Sequence, residues 1–363
     1  MVPRFVFSRK ISRPAIFEFC NRFPSKADIG RTSPDDSFVP GAEIRHCIRS
    51  SGATSLLLRL AALTVHILRT YGYLHNGGKM AEYKFEFVNV RIRDGIAWTF
   101  LNRPDKRNAM SPQLHYDMDN ALARLEVDED VRVVVVSGEG GNFSAGQDLK
   151  KFFRELEKNP GERKKAAAAA NRWRWDRLYN YDKPTIAMVH GFCVGGAFMQ
   201  LLACDFAIAA EDATFSLSEV NWGILPGALV SKAVADAVLP RHALYYACLG
   251  DPFDGKEAAR IGMINYAVPS KKLEDAVTDL AERLMKKSPA VLRATKHAIR
   301  HVRTMDVAQS YEYLAAKGQA IKAADKEDSY NTGLRQFLDE KSYKPAFEPF
   351  KLGTLLTDQR NKS

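Results

Sequence analysis

Cysteine is scarce and scattered in this chain. Cys20, Cys47, Cys193, Cys204 and Cys248 are odd in number and show no CxxC spacing, which argues against a disulfide framework and against a zinc site. A reducing, cytoplasmic setting is expected. Long apolar runs are lacking too. The strongest, SLLLRLAALTVHIL at 55–68, is broken by Arg59 and His66 and falls short of the roughly 20 residues that span a bilayer, so no membrane helix or membrane partner is expected. Also missing is a basic character spread along the chain. Of the net charge of +10, residues 1–79 hold 12 Lys and Arg against 5 acidic residues, leaving 41 against 38 for residues 80–363. That near-neutral body lacks the electrostatic footprint of a nucleic-acid binder. His190 and His242 have neither a metal-ligand spacing nor a serine motif beside them; they read as structural, and no metal is expected.

What is present is a chain with 46% hydrophobic residues, enough for a sizeable core. Residues 1–79 mix Arg, Ser and Pro without clean periodicity. They form a basic N-terminal extension, read as a transit peptide, a disordered arm, or upstream sequence joined through a misassigned start. Asp35, Asp36 and Glu43 weigh against the first reading, and MAEYKFEF from Met80 resembles a natural beginning, which favours the third. From residue 84 the pattern is orderly. FEFVNVRIRDGIAWTFLNRP alternates into two strands about Asp94-Gly95, a hairpin signal. SPQLHYDMDNALARLEVD reads as a helix, and VRVVVVSGEG as a strand buried on both faces. The alanine-rich GERKKAAAAANRWRWDRLYN reads as a further helix, after which TIAMVHG and CDFAIAA repeat the strand theme. Alternating strands and helices predict an α/β fold with right-handed crossovers. The division expected is a core over 80–270 and a C-terminal helical region over 271–363.

Three stretches carry the candidate chemistry. In GFCVGGAFMQ, Gly195 and Gly196 stand where a strand gives way to a helix. Backbone amides there are unpaired and partly positive, and glycine allows another molecule to come close; tight helix packing is the plainer alternative. FSAGQDLK follows a buried strand and offers a second set of amides, or simply a helix cap by Ser144 or Asp148. In ATFSLSEVNWGILPG, Glu219 stands among Leu217, Val220, Trp222 and Ile224. That apolar setting would raise a carboxyl pKa into a useful range, unless the glutamate is merely structural on a helix face.

Together these segments resemble the crotonase (enoyl-CoA hydratase/isomerase) superfamily, over about residues 84–350. LNRPDKRNAMS, FSAGQDLK, HGFCVGGAF and CDFAIAAEDATFSLSEVNWGILPG carry the likeness. The resemblance implies a ClpP/crotonase-like ββα-repeat spiral with a C-terminal helical trimerisation region. It implies that the amides of Gln147 and Gly196 form an oxyanion hole and that Glu219 is the acid/base. It also implies that Lys106, Ala145, Leu149, Ser218 and Trp222 contact the coenzyme A thioester. Homotrimers or paired trimers (hexamers) are implied, with a segment such as FLDEKSYKP able to reach a neighbouring site. No metal or redox cofactor is implied, since coenzyme A enters as the substrate thioester.

Simple hydratases of that superfamily carry a second glutamate three residues after the second glycine of the pair; here the position is Met199. Within the superfamily the chain is most similar to the hydroxycinnamoyl-CoA (feruloyl-CoA) hydratase-lyases, through NRPDKRNAMSP, AGQDLKKFFRE, WRWDRLYNYDKPTIAMV, LVSKAVAD and QFLDEKSYKP. Hydration of a hydroxycinnamoyl-CoA and retro-aldol cleavage to an aromatic aldehyde of the vanillin type and acetyl-CoA is the implied reaction. Two positions depart from that group: Phe152 and Ala315 replace tyrosines that would hold a ring hydroxyl, so Tyr311 or Tyr313 must substitute or the preferred ring differs. Phe152, Phe153, Trp173 and Trp175 either line an acyl pocket or belong to the core. The alternatives are an enoyl-CoA hydratase or isomerase on another acyl chain, and, from a different class, a crotonase-fold RNA-binding protein.

Overall fold

The computed structural model describes residues 81–352. The extension over 1–79 and the apolar run at 55–68 lie outside the described residues. The Asp94-Gly95 turn forms as its residue types dictate: both have positive φ, 53° and 79°, the primed geometry that matches the twist of a hairpin. It joins β2 (Val88–Arg93) to β3 (Ile96–Leu101), with β1 (Ala81–Lys84) antiparallel on the far side of β2.

From β3 onward the main sheet is parallel. After α1 (Pro112–Val127), capped by Ser111, comes β4 (Val133–Gly138), every residue of which is buried. Next come α2 (Pro160–Asn171), β5 (Thr185–Val189), β6 (Phe192–Val194), α3 (Ala197–Ala203), β7 (Phe206–Ala210) and β8 (Thr214–Ser216). Then follow α4 (Val230–Ala237), α5 (Pro240–Leu249), β9 (Phe253–Asp254), α6 (Gly255–Arg260) and β10 (Tyr266–Val268). The seven-stranded sheet has the order β1-β2-β3-β4-β5-β7-β10, and β6, β8 and β9 form a second, smaller sheet.

Between the two sheets a repeat is visible. Three times the chain leaves a strand of the large sheet, makes a short pairing with the small one and enters a helical turn. The pairings are the isolated Ser144↔Cys193 bridge after β4, β6 after β5, and β8 after β7. This is the expected ββα spiral. Its consequence is positional: the three turns that follow, at Ala145–Gln147, Gly195–Gly196 and Ser218–Glu219, emerge as neighbours.

The alanine-rich stretch departs from the single regular helix expected of it. α2 passes at Arg172 into widened π turns that run to Leu178, and residues Leu149–Arg154 are wound the same way. Such turns change which side chains face inward, and they recur at functional sites.

Helices α7 (Leu273–Met285), α8 (Pro289–Val302), α9 (Val307–Ala324) and α10 (Ser329–Leu334) complete the C-terminal region. Helix α8 is fastened to the sheet by charge. Asp205, at the entry to β7, meets Lys296 Nζ at 2.6 Å and Arg300 Nη2 at 2.9 Å, and it also accepts the Thr185 amide. All three charged side chains are nearly buried. Asp205→Ala would strand two buried cations and is expected to cost about 3–5 kcal/mol. A urea midpoint within error of wild type would remove the triad from the stability account.

Candidate active site

A cavity of about 740 Å³ opens where the three turns meet, well within the size range of small-molecule sites. Among the described residues Glu219 is its only carboxylate.

The first turn is held from beneath. Ser144 Oγ donates to the Asn108 carbonyl and accepts the Gly146 amide, while Asp148 caps the Lys150 and Lys151 amides and pairs with Arg103 at 2.9 Å. Asp148 therefore is the helix cap that the plainer reading offered, while Ser144 closes the turn ahead of it. Yet the capping leaves the Gln147 amide without an acceptor among the described residues, because the strand bridge to Met110 uses the Gly146 carbonyl and the Asp148 amide instead.

The second turn does the same for Gly196. Gly195 donates its amide to the Ser216 carbonyl at 2.9 Å, whereas the amide of Gly196, at the cap position of α3, has no acceptor among the described residues. The two turns touch, since a Cβ on Gly146 would lie 3.3 Å from the Gly196 nitrogen. Two free amides from abutting turns can stabilise a developing oxyanion. The two glycines of the pair have different reasons. Gly195 has φ +54° and a Cβ there would come within 3.1 Å of Glu219 Oε1; Gly196 has an ordinary φ of −56°, and its Cβ would make only ordinary contacts.

Glu219 lies on a single 3-10 turn, Ser218–Trp222, that follows β8. Its carboxyl packs against Gly195, and Oε2 is buried without a partner. Burial pushes its pKa above the usual carboxylate range. The apolar neighbours read from sequence contribute less shelter than their type suggests: Leu217 is buried, but Val220, Trp222 and Ile224 are 40%, 68% and 47% exposed. The shelter comes from the backbone of the glycine turn.

Of the predicted contact residues, Ala145, Leu149, Ser218 and Trp222 line the cavity. Lys106 does not; it stands on the exposed turn Pro104–Lys106 beside Asp105. The aromatic group divides. Phe152 and Phe153 line the cavity, Trp173 is fully buried in the core, and Trp175 stacks on Tyr179 with ring centres 4.5 Å apart at a separate hollow. Ala315, Tyr311 and Tyr313 are on α9, outside the cavity lining, so neither tyrosine substitutes within this chain.

Sequence reasoning missed two residues here. Arg174, on the first π turn after α2, is 4% exposed and lines the cavity. Its Nε donates to the Ala170 carbonyl at 2.8 Å and its Nη1 to the Gly196 carbonyl at 3.3 Å. No carboxylate pairs with it among the described residues, and burial draws its pKa down to about 9. His115, wholly buried on α1, lies 2.9 Å from both the Trp173 indole nitrogen and the Gln147 carboxamide. Burial, then the nearby Arg174 charge, lowers its pKa well below the usual imidazole value. Neither an arginine in a charged helix nor a histidine in a polar one carries a local signal of such a position.

Fold and site together define a class: residues 91–349 match the enoyl-CoA hydratase/isomerase family, and the chain belongs to it. It is an enzyme of CoA thioester chemistry. Among its relatives, a hydroxycinnamoyl-CoA hydratase-lyase from Pseudomonas fluorescens is 46% identical over 74% of this chain and 98% of its own length. A putative enoyl-CoA hydratase from Thermus thermophilus is 33% identical over 69% of this chain and 98% of the relative. Among solved structures, an enoyl-CoA hydratase subunit from Geobacillus kaustophilus superposes with a TM-score of 0.65 at 28% identity, covering 72% of this chain and 98% of that one.

Proposed function

We propose that this enzyme hydrates an aryl-acrylyl-CoA of the hydroxycinnamoyl type and then cleaves the product to an aromatic aldehyde and acetyl-CoA. The observation that carries the reading is that Glu219 is the one carboxylate of the cavity among the described residues, set beside two amides without acceptors among them, with Met199 where a second carboxylate would be needed for the paired mechanism. The 46% identity to a hydratase-lyase supports it.

In this reading the thioester oxygen sits between the amides of Gln147 and Gly196. Ionised Glu219 takes a proton from water as the water oxygen bonds to C3, and the electron pair of the double bond moves onto the thioester as an enolate. Glu219 returns the proton to C2, giving the 3-hydroxyacyl thioester. The same carboxylate then takes the 3-hydroxyl proton; the C2–C3 bond breaks, the aldehyde leaves, and the electron pair again becomes the enolate. Protonation at C2 by Glu219 yields acetyl-CoA. Every atom of the products comes from the acyl-CoA and one water, so neither metal nor redox cofactor enters the balance. One oxyanion site serves both steps because both pass through a thioester enolate.

Ala145, Leu149, Ser218 and Trp222 would hold the thioester in the cavity, with Lys106 meeting the coenzyme A portion outside it. Assembly into trimers or paired trimers belongs to the same proposal. Feruloyl-CoA and unsubstituted cinnamoyl-CoA, incubated separately with the full chain, are expected to give aldehyde plus acetyl-CoA from at least one of them, identified by mass. Hydration without cleavage, or turnover of an aliphatic enoyl-CoA alone, would replace the lyase by an enoyl-CoA hydratase or isomerase.

A further inference from the structure

A buried cation is costly unless something pairs with it. Arg174 is buried, lines the cavity and, among the described residues, commits only two of its N–H groups, both to backbone carbonyls. A guanidinium carries five such donors, so three remain, and their positive charge has no carboxylate beside it among the described residues. The cavity is where an anion could reach it.

Gln147 supplies a second, independent pointer. Trp173 Nε1–H can only donate, so His115 Nδ1, 2.9 Å away, must be the acceptor. A neutral imidazole with a bare Nδ1 carries its proton on Nε2. That nitrogen lies 2.9 Å from the end of the Gln147 carboxamide, which can accept its proton only through the amide oxygen. The carboxamide therefore turns its oxygen to His115, and its NH2 group points away from that buried ring. Gln147 lines the cavity and is half-buried. Both residues stand on the wall of the cavity at Gly196: the point where its Cβ would be lies 3.6 Å from the backbone nitrogen of Gln147 and 3.7 Å from Arg174 Nη1.

We propose that Arg174 and the Gln147 carboxamide form a subsite for an anionic oxygen on the acyl group, so that the preferred acyl-CoA carries a carboxylate or an ionised phenol. The inference rests on the cavity being the acyl-CoA site. It also accounts for the two missing tyrosines. A neutral ring hydroxyl needs partners such as those, which Phe152 and Ala315 cannot supply, whereas an anion needs the charge that Arg174 provides.

The test uses cinnamoyl-CoA, 4-coumaroyl-CoA and 4-carboxycinnamoyl-CoA with wild type, Arg174→Gln and Arg174→Lys. The wild type is expected to favour one of the two oxygen-bearing substrates over cinnamoyl-CoA in kcat/KM, and which one identifies carboxylate or phenolate as the source. Arg174→Gln is expected to reduce that preference ratio by about tenfold or more, the cost of stranding a buried charged partner, with Arg174→Lys recovering part of it. A ratio unchanged in Arg174→Gln would overturn the proposal. So would an equal loss for all three substrates, which would assign Arg174 to the charge of the transition state instead. Binding of the corresponding saturated 3-arylpropanoyl-CoA esters by calorimetry separates this inference from the lyase reading. A tenfold weaker Kd for the anionic ester in Arg174→Gln upholds the subsite even if no substrate is cleaved. Equal Kd values for neutral and anionic esters in the wild type sink it even if cleavage occurs.

Discussion

Glu219→Gln gives a protein that folds, melts no lower than wild type, and loses at least about 10³-fold in kcat, within the range that positioned acid/base groups contribute. The loss follows from isolation. No other carboxylate lines the cavity among the described residues, and Met199, three residues beyond Gly196, has no proton to exchange. The stability half of the expectation follows from burial. Because the carboxyl of Glu219 holds its proton more tightly folded than unfolded, ionising it at neutral pH works against the folded state, and the disadvantage grows as pH rises from the unfolded pKa through the raised folded one. Glutamine cannot ionise and escapes it. The same shift shapes the rate. In the proposed cycle the base form starts the reaction, so kcat/KM should climb with pH to a plateau, through a midpoint above the ordinary glutamate value. A variant that retains a tenth of wild-type turnover, or a kcat/KM flat with pH down to the ordinary carboxylate range, would remove Glu219 from the chemistry.

The parts of this architecture that could be read from sequence are those where one residue type has one physical consequence. Asp94-Gly95 flanked by alternating strands has few alternatives to a hairpin, and VVVVSG with no polar face must be covered on both sides, as β4 is. The glycine turns were legible for a related reason: φ +54° at Gly195 and +85° at Gly146 are conformations that other residues rarely adopt. Side-chain direction on irregular helix is another matter. WRW at 173–175 presents two tryptophans and an arginine that look alike in any periodic template. The widened turns put Trp173 in the core, Arg174 against the cavity and Trp175 in a stack with Tyr179. An arginine after ERKKAAAAANR invites the reading of a solvated face, and only the placement of the π turns after α2 against Gly196 overturns it. His115 was hidden by the same rule, since its two hydrogen-bond partners are 32 and 58 residues away. Lys106 shows the converse: a motif match fixes its place on the chain, but a long exposed side chain is not fixed by the fold.

Gly146→Ala should be the most damaging single methyl group at this site. At φ +85°, any residue with a Cβ is strained, and the added carbon would sit 2.5 Å from the Val194 carbonyl oxygen, far inside van der Waals contact and against backbone that cannot rotate away. The chain must part the two turns to make room. Gly146 is tied on both sides, its amide to Ser144 Oγ at 3.1 Å and its carbonyl to the Met110 amide at 2.8 Å, so the displacement cannot be absorbed locally. Strain and lost contacts together are expected to cost about 2–4 kcal/mol. Activity should suffer more than stability. In the proposed reading the amides of Gln147 and Gly196 hold the thioester oxygen from the two turns being forced apart, and loss of one oxyanion donor alone costs about 10²- to 10³-fold. Gly141→Ala is the matched control, because nothing lies within 4 Å of a Cβ there and its φ is not positive; it should keep both urea midpoint and kcat/KM. If Gly146→Ala instead loses stability but keeps its turnover, the register of these two turns is not what sets the oxyanion site. The paired amides would then have to be sought elsewhere along the first turn of α3.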